Sequence, residues 1–184
     1  MLTERLVRRC ESASVVGVAE VSSCQLRFNK ISKSDGSGKG SIESTDQQSD
    51  KVYGVVFRIN SDELDDLDKF EGYGSGYDRD DKLPATLVGK GLPIEATTYV
   101  ATDIDDKLYP YDWYLALVIA GAREHHLPIE YVAAVENVTH VPDPDENRRS
   151  RKEALDILKA TDNWDLYLRL VKAANRGVGT GVGY

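Results

Sequence analysis

The order in which strand-forming and helix-forming segments follow one another most limits the folds open to this chain. Short runs rich in β-branched and aromatic residues predict strands. These runs are residues 15–21, 24–29, 51–59, 85–88 and 94–101. The last two flank the turn-forming sequence GKGLP, which predicts that they form a hairpin.

Helical spacing and helix-end signals predict helices in most of the remaining chain. These helices are residues 3–12, 61–70, 111–125, 128–135 and 151–175. Strands and helices do not alternate strictly, as they would in a parallel sheet built from crossover units. The sequence therefore predicts an α+β fold, in which helices flank a small, mixed, mostly antiparallel β-sheet or barrel.

Two segments have the composition of irregular structure. Residues 32–50 are rich in Ser, Gly, Asp and Gln, and Ile42 is their single large apolar residue, so a loop is predicted there. Residues 142–184 are predicted to follow the main domain, residues 1–141, as a linker, a C-terminal helix and a flexible Gly-rich tail. That helix either packs on the domain or mediates dimerisation, so a homodimer is one predicted assembly.

Composition excludes several classes of partner. The net charge of −8 argues against nucleic acid or an anionic membrane, because both bind a basic face. No run approaches the roughly 18 apolar residues of a membrane span, and residues 1–10 are charged where a secretory signal would be apolar. Cys10 and Cys24 are too few to staple a domain of 184 residues. We therefore expect a cytoplasmic protein that acts on a small molecule.

The residues with the best-known ligand chemistry do not form a metal or nucleotide motif. In the Gly-rich run DGSGKGS, residues 35–41, Lys39 is followed by Gly40, whereas a phosphate-binding P-loop requires Ser or Thr there. The three histidines are His125, His126 and His140, and none has the spacing of a zinc motif. No metal and no cofactor are predicted.

Glu71 is a candidate for proton transfer. It ends the predicted helix 61–70, immediately before Gly72, and Asp68 lies three residues earlier on the same face. The negative end of a helix and a neighbouring like charge both disfavour an ionised carboxylate, which suits a base that works near neutral pH. Because many acids crowd residues 62–81, the charge pattern alone does not single out Glu71 from its neighbours.

Three segments single it out by resemblance. They are residues 26–42 together with VYGVVFRI at residues 52–59, residues 67–77 (LDKFEGYGSGY) and residues 114–131 (YLALVIAGAREHHLPIEY). In this order they resemble the γ-glutamylcyclotransferase (AIG2-like) family, over roughly residues 1–136. The resemblance implies a small mixed β-barrel with flanking helices, and it makes Glu71 the catalytic acid/base of the LDxxEG segment.

The resemblance also implies a reaction. The α-amine of a γ-glutamyl substrate attacks the γ-carbonyl of the same molecule, which releases 5-oxoproline and a free amino acid or amine. Tyr77 and Tyr114 are the predicted substrate-binding residues, although Tyr114 would equally suit a core position on the helix. The implied chemistry requires neither a metal nor a cofactor.

The chain departs from the family at its start. Family members begin with a strand that ends in a Tyr-Gly-Ser-Asn-like loop, which binds the glutamyl head group, and this loop is missing before Met1. The similar YGSG at residues 73–76 follows Glu71 and is not its equivalent. Either Met1 is an internal methionine of a longer chain, which we favour, or the chain is a non-catalytic small-molecule-binding or interaction module. A different acyl-transfer reaction on the same scaffold is a third alternative.

Overall fold

The computed structural model describes residues 2–178 and has the predicted α+β architecture. That part of the chain contains six strands and six α-helices, together with a 3₁₀ turn at Ser61–Glu63. In chain order they are α1 (Thr3–Val7), β1 (Ser14–Ser22), β2 (Cys24–Ile31), β3 (Gly38–Ser44), β4 (Lys51–Arg58), α2 (Leu64–Glu71), β5 (Tyr77–Leu87), β6 (Leu92–Ala101), α3 (Asp112–Glu124), α4 (Ile129–Glu136), α5 (Arg149–Ala160) and α6 (Trp164–Val178). Most of the predicted Gly-rich tail, residues 179–184, lies outside the described residues.

The strands form two antiparallel units. Four of them make a sheet in the order β4-β1-β5-β6, and the other two pair as the hairpin β2-β3. One bridge between Lys30 and Ile104 connects the hairpin to the segment after β6. The prediction of a mostly antiparallel sheet is thus confirmed, and the closed barrel stays a prediction.

The predicted loop at residues 32–50 is wrong in its middle, where β3 pairs with β2. Its glycines are required by close packing, since a Cβ on Gly38 would overlap the carbonyl oxygen of Phe28. A Cβ on Gly40 would lie 3.3 Å from the hydroxyl of Tyr114. Small residues therefore mark a strand in close contact with its neighbours, whereas composition alone predicted a flexible segment.

The hairpin predicted from residues 85–101 is confirmed, but its first strand begins at Tyr77 rather than at residue 85. Of the additional residues 77–84, those after Tyr77 (DRDDKLP) carry several charges and little β propensity, and much of this half of β5 faces solvent. The pairing with β6 also shifts register between Asp80 and Leu83. An apolar alternation could not have predicted this half of the strand.

Several helix ends differ from the prediction. Helix α1 ends at Val7 rather than at residue 12, and Ser61 starts a 3₁₀ turn instead of capping α2. The single helix predicted at residues 151–175 is two helices, α5 and α6. They are separated at Asp162, whose φ of 56° is left-handed and incompatible with a continuous α-helix. The Asn163 side chain donates a hydrogen bond to the backbone carbonyl of Thr161 in this turn.

Helix α3 lies at the centre of the main hydrophobic core. Its Leu115 and Ile119 are fully buried, and α4, α5 and α6 all pack on it. Leu158 of α5 is fully buried in the same core. The C-terminal helices thus contribute apolar side chains to the core that α3 anchors, while the domain boundary predicted after residue 141 stays a prediction. None of the described helices is long and apolar enough to cross a membrane.

Candidate active site

Glu71 is the last residue of α2, where its carboxylate reaches a cavity between the helix, the β2-β3 hairpin and α3. The helix ends there because Gly72 adopts a left-handed conformation, with φ 78°, as its position as the stop residue predicts. The N–H groups of Gly72 and Tyr73 both donate to the carbonyl of Asp68. This closed helix end fixes where the Glu71 side chain starts.

Arg9 contacts the Glu71 carboxylate directly. Its Nη1 donates to Oε1 at 2.7 Å, and about a fifth of each side chain is exposed. The Arg9 guanidinium also lies over the ring of Phe70, 5.5 Å from its centroid. The sequence predicts only Asp68 as a charged neighbour of Glu71, and the structure adds the cation of Arg9.

Asp68 is engaged elsewhere. Its two carboxylate oxygens accept hydrogen bonds from Arg79 of β5 and from the hydroxyl of Tyr99 on β6, each at 2.6 Å. Burial, followed by the bond to Asp68, raises the pKa of Tyr99. Asp68 therefore fastens the end of α2 to the β5-β6 hairpin and holds Glu71 against the cavity.

The two predicted substrate-binding tyrosines meet at one residue, Gly40, and bind its two backbone groups. The hydroxyl of Tyr77 donates to the carbonyl of Gly40 at 2.8 Å, and the hydroxyl of Tyr114 accepts from the N–H of Gly40 at 3.0 Å. Burial raises the pKa of both phenols, so both stay protonated at neutral pH. Tyr114 uses its oxygen as an acceptor here, and its own proton remains available to another group.

Lys39 lies in the same wall of the cavity. Its Nζ donates to Asp35 at 2.8 Å and to the Ser37 hydroxyl at 2.7 Å, beneath the rings of Trp113 and Tyr114 at 4.8 and 4.7 Å. Burial lowers the pKa of Lys39. Burial opposes charge on Asp35 as well, but its bonds to Lys39 and Ser37 outweigh that effect and lower its pKa. The Gly-rich run thus supplies an ion pair under aromatic rings.

The cavity has a volume of about 620 Å³ and a cationic lining. Its wall includes Glu71, Tyr77 and Tyr114. The charged side chains on that wall are Arg5, Arg9, Lys30, Lys33, Lys39, Asp35 and Glu71. Five cations against two carboxylates are unexpected in a chain of net charge −8, and this excess favours an anionic ligand.

A second cavity of about 700 Å³ lies between the strands and is lined largely by apolar side chains of β1, β4, β5 and β6. Glu71, Tyr77 and Tyr114 line both cavities. Glu71 therefore lies where the cationic cavity meets the second, largely apolar one.

Neither histidines nor carboxylates gather into a metal site within residues 2–178, where no group of three His, Cys, Asp or Glu side chains could hold an ion. His125 is instead within 3.0 Å of the Thr3 hydroxyl and packs edge-on against Phe57. His140 lies 3.0 Å from the carbonyls of both Val138 and Leu170, and so ties the segment that follows α4 to α6.

Sequence reasoning missed the cationic lining. Arg5 and Arg9 belong to the predicted helix 3–12, to which the sequence assigns no role in a site. Lys30 and Lys39 belong to the β2-β3 hairpin, whose second strand lies within the predicted loop 32–50. Helical spacing offers no signal for both positions, because α1 ends at Val7 and Arg9 reaches Glu71 only through the fold.

Comparison with known proteins agrees with this geometry. Residues 51–135 match the model of the AIG2-like family. The chain is 32% identical over 162 residues to human gamma-glutamylcyclotransferase, an alignment that covers 86% of this chain and 83% of the relative. It is 34% identical over 134 residues to the gamma-glutamylcyclotransferase of Bos taurus, covering 71% of this chain and 70% of that protein.

A solved structure of a gamma-glutamyl cyclotransferase superposes with a TM-score of 0.75 at 28% identity. The superposition covers 86% of this chain and 92% of that one. The sequence identity to the human relative, which extends over most of both chains, and the shared fold together establish the relationship. This chain belongs to the γ-glutamylcyclotransferase family.

Proposed function

We propose that this protein is a γ-glutamylcyclotransferase. The α-amine nitrogen of a γ-glutamyl amino acid or amine attacks its own γ-carbonyl carbon, and the bond from that carbon to the leaving amine breaks. The products are 5-oxoproline and the free amino acid or amine. The nucleophile is part of the substrate, so the entropy of bringing two reactants together is largely prepaid. No electrons are transferred and no water is consumed, so the reaction as written needs no cofactor.

The observation that carries this proposal is the position of Glu71. Its carboxylate lies on the wall of a cationic cavity in a chain related to known cyclotransferases. Arg9 donates to Oε1, and within residues 2–178 no hydrogen bond engages Oε2. That second oxygen is free to take the proton from the substrate ammonium and later deliver it to the leaving amine.

Tyr77 and Tyr114 have different roles in this proposal. The hydroxyl of Tyr77 donates its hydrogen bond to the Gly40 carbonyl and so fixes the shape of the cavity wall. Tyr114 accepts from the Gly40 N–H, so its own proton can be donated to the oxyanion that forms at the γ-carbonyl. Because its pKa is raised by burial, the phenol remains a hydrogen-bond donor throughout the neutral range.

Release of 5-oxoproline tests the proposal. The purified chain is incubated with γ-glutamyl dipeptides, and 5-oxoproline and free amino acid are quantified by chromatography. We expect turnover with the unmodified chain and a loss of roughly 100- to 10,000-fold in kcat for Glu71→Gln, the range typical of a general acid/base.

The matched control is Glu130→Gln, which removes one charge from an exposed position in the first turn of α4. It should keep the activity of the unmodified chain. Full activity of Glu71→Gln would refute the role of this residue. Binding of γ-glutamyl compounds without any release of 5-oxoproline would instead support the non-catalytic ligand-binding module.

Two sequence-based expectations extend the proposal. The first is a cytoplasmic location, which cell fractionation and immunoblotting can test. A homodimer is the second, and its mass in solution can be measured by light scattering.

A further inference from the structure

Lys30 is a buried cation that faces the cavity. The residue is 7% exposed, and its Nζ lies 4.6 Å from the centroid of the Tyr77 ring. Gly76 leaves room for it, because a Cβ there would lie 3.1 Å from Cε and 3.3 Å from Nζ of Lys30. The chain therefore packs this lysine closely against an aromatic ring on the cavity wall.

Lys30 and Arg5 differ from Arg9 and Lys39 because their charges have no direct hydrogen-bonding or carboxylate partner in the described structure, and of these two residues only Lys30 is buried. Arg9 pairs with Glu71 and Lys39 pairs with Asp35. For Lys30, no carboxylate of residues 2–178 lies within 4 Å of Nζ and no acceptor there makes a hydrogen bond with it. Buried charges are normally paired, so an unpaired one that faces a cavity indicates a ligand.

The charges around Lys30 also leave room for a bound anion, because they do not offset the cost of burying its ammonium group. Burial lowers the pKa of Lys30, and the nearby Lys33 lowers it further. The carboxylates of Asp103, Asp35 and Glu71 oppose the shift from a distance without cancelling it. An anion bound beside Nζ would supply the compensation that the folded chain lacks.

We propose that Lys30 binds a carboxylate of the γ-glutamyl substrate, an inference that rests on the proposed function. A γ-glutamyl group carries its α-carboxylate on the same carbon as the amine that Glu71 deprotonates. A leaving amino acid carries a second carboxylate farther from the γ-carbonyl. A charge-assisted hydrogen bond from Nζ to either one would hold the substrate in the cavity from which Glu71 acts.

The first test replaces the ammonium by an apolar side chain of similar length, Lys30→Met. A carboxylate remote from the breaking bond is bound equally in the ground and transition states, so its loss raises KM and leaves kcat nearly unchanged. We expect a rise in KM of roughly tenfold to a hundredfold, the usual effect of losing a hydrogen bond between charged groups. Lys30→Arg should recover part of the affinity.

Thermal unfolding separates this role from a structural one. Because the Lys30 charge is buried without a direct partner, Lys30→Met should leave the melting temperature unchanged or raise it. The control Lys90→Met removes a lysine from the exposed turn between β5 and β6 and should change neither KM nor the melting temperature. A lower melting temperature with an unchanged KM, or a fall in kcat with an unchanged KM, would overturn the proposal.

Substrate analogues then identify the carboxylate. The kinetics of the unmodified chain and of Lys30→Met are compared on γ-glutamyl-alanine, on its analogue with an α-carboxamide in the glutamyl group, and on γ-glutamyl-alaninamide. Whichever carboxylate Lys30 contacts, the analogue lacking it should show little further loss on Lys30→Met. A full additional loss on both analogues would mean that Lys30 contacts neither carboxylate.

Failure of this inference can be told apart from failure of the proposed function. If the unmodified chain releases no 5-oxoproline, the proposed function fails, and calorimetric titration with γ-glutamyl-alanine still tests Lys30. Binding to the unmodified chain that weakens in Lys30→Met supports the carboxylate contact without turnover. Equal binding by both proteins, or binding by neither, overturns it.

Discussion

The helical core around α3 and the cavity around Glu71 are held together by different forces. The core is apolar, and Leu115, Ile119 and Leu158 are fully buried in it. The cavity wall is held by polar contacts, among them the two tyrosine hydroxyls on Gly40 and the pairs Arg9–Glu71 and Lys39–Asp35. The stability of the fold and the chemistry of the site therefore depend largely on separate groups of residues.

Trp113 connects the two regions. It lies on α3 and is 2% exposed, and its ring faces the Lys39 ammonium of the cavity wall. Its Nε1 donates to Asp143 at 2.8 Å, and Arg148 binds the same carboxylate. The linker before α5 is thereby fastened to the helix that carries Tyr114. Helix α3 is therefore the element that the two regions share.

The largest expected effect on stability comes from a substitution in the helical core alone. Leu158→Ala removes a fully buried side chain from the contact of α5 with α3 and leaves a cavity in the core. The free energy of unfolding should fall by about 2–5 kcal/mol, measured by urea denaturation. The KM of the folded protein for a γ-glutamyl dipeptide should not change, because no contact of the cavity wall is removed.

Leu168→Ala is the matched control for that prediction. It makes the same substitution in α6, where Leu168 is 38% exposed, and should cost less than about 1 kcal/mol. If Leu158→Ala raised KM strongly while the protein stayed folded, the separation between the two regions would be wrong.

The same contrast explains what the sequence could predict. Helices α3 and α4 and strands β1, β2 and β4 follow from apolar periodicity and β propensity, because their sequences are rich in apolar, β-branched or aromatic residues. Strand β3 and the first half of β5 do not, because one is built from small residues in close contact and the other is charged and partly solvated. Patterns of hydrophobicity predict the elements of the core, but they do not predict the elements of the cavity wall.

The candidate site shows the same limit. Glu71, Tyr77 and Tyr114 were named from a resemblance of short segments, and they line one cavity. Arg9 and Lys30 were not named, because the contacts that place them join residues far apart in the chain. Arg9 meets a carboxylate 62 positions later, and no local pattern encodes that pairing. Long-range side-chain contacts require the folded structure.

A smaller effect is expected from a substitution in the cavity wall, where activity should change more than stability. Tyr114→Phe removes the hydroxyl that accepts from Gly40 and is proposed to donate to the oxyanion. We expect kcat/KM to fall roughly tenfold to a hundredfold, while the free energy of unfolding falls by only about 1 kcal/mol. Steady-state kinetics and urea denaturation of the same preparation measure both quantities.

The control for this variant is Tyr109→Phe, because Tyr109 is 48% exposed and lies outside the cavity that contains Glu71. It should match the unmodified protein in both measurements. A Tyr114→Phe protein that loses several kcal/mol of stability but keeps its kcat/KM would show that Tyr114 belongs to the structural core instead.

The smallest effect concerns the ion pair of Asp35 and Lys39 and depends on pH. The pKa of Asp35 is held below its ordinary value near 3.8 in the folded state. A carboxylate of this kind contributes stability above its unfolded pKa and loses it as pH falls through its folded pKa. The free energy of unfolding of the unmodified protein should therefore exceed that of Asp35→Asn by a constant amount near neutral pH. This difference should shrink below about pH 4. Urea denaturation of both proteins across this range measures it, with Asp65→Asn at an exposed position of α2 as the control. A difference that stays constant down to pH 2 would mean that the charge of Asp35 contributes nothing, and that the wall of the cavity is held by packing just as the helical core is.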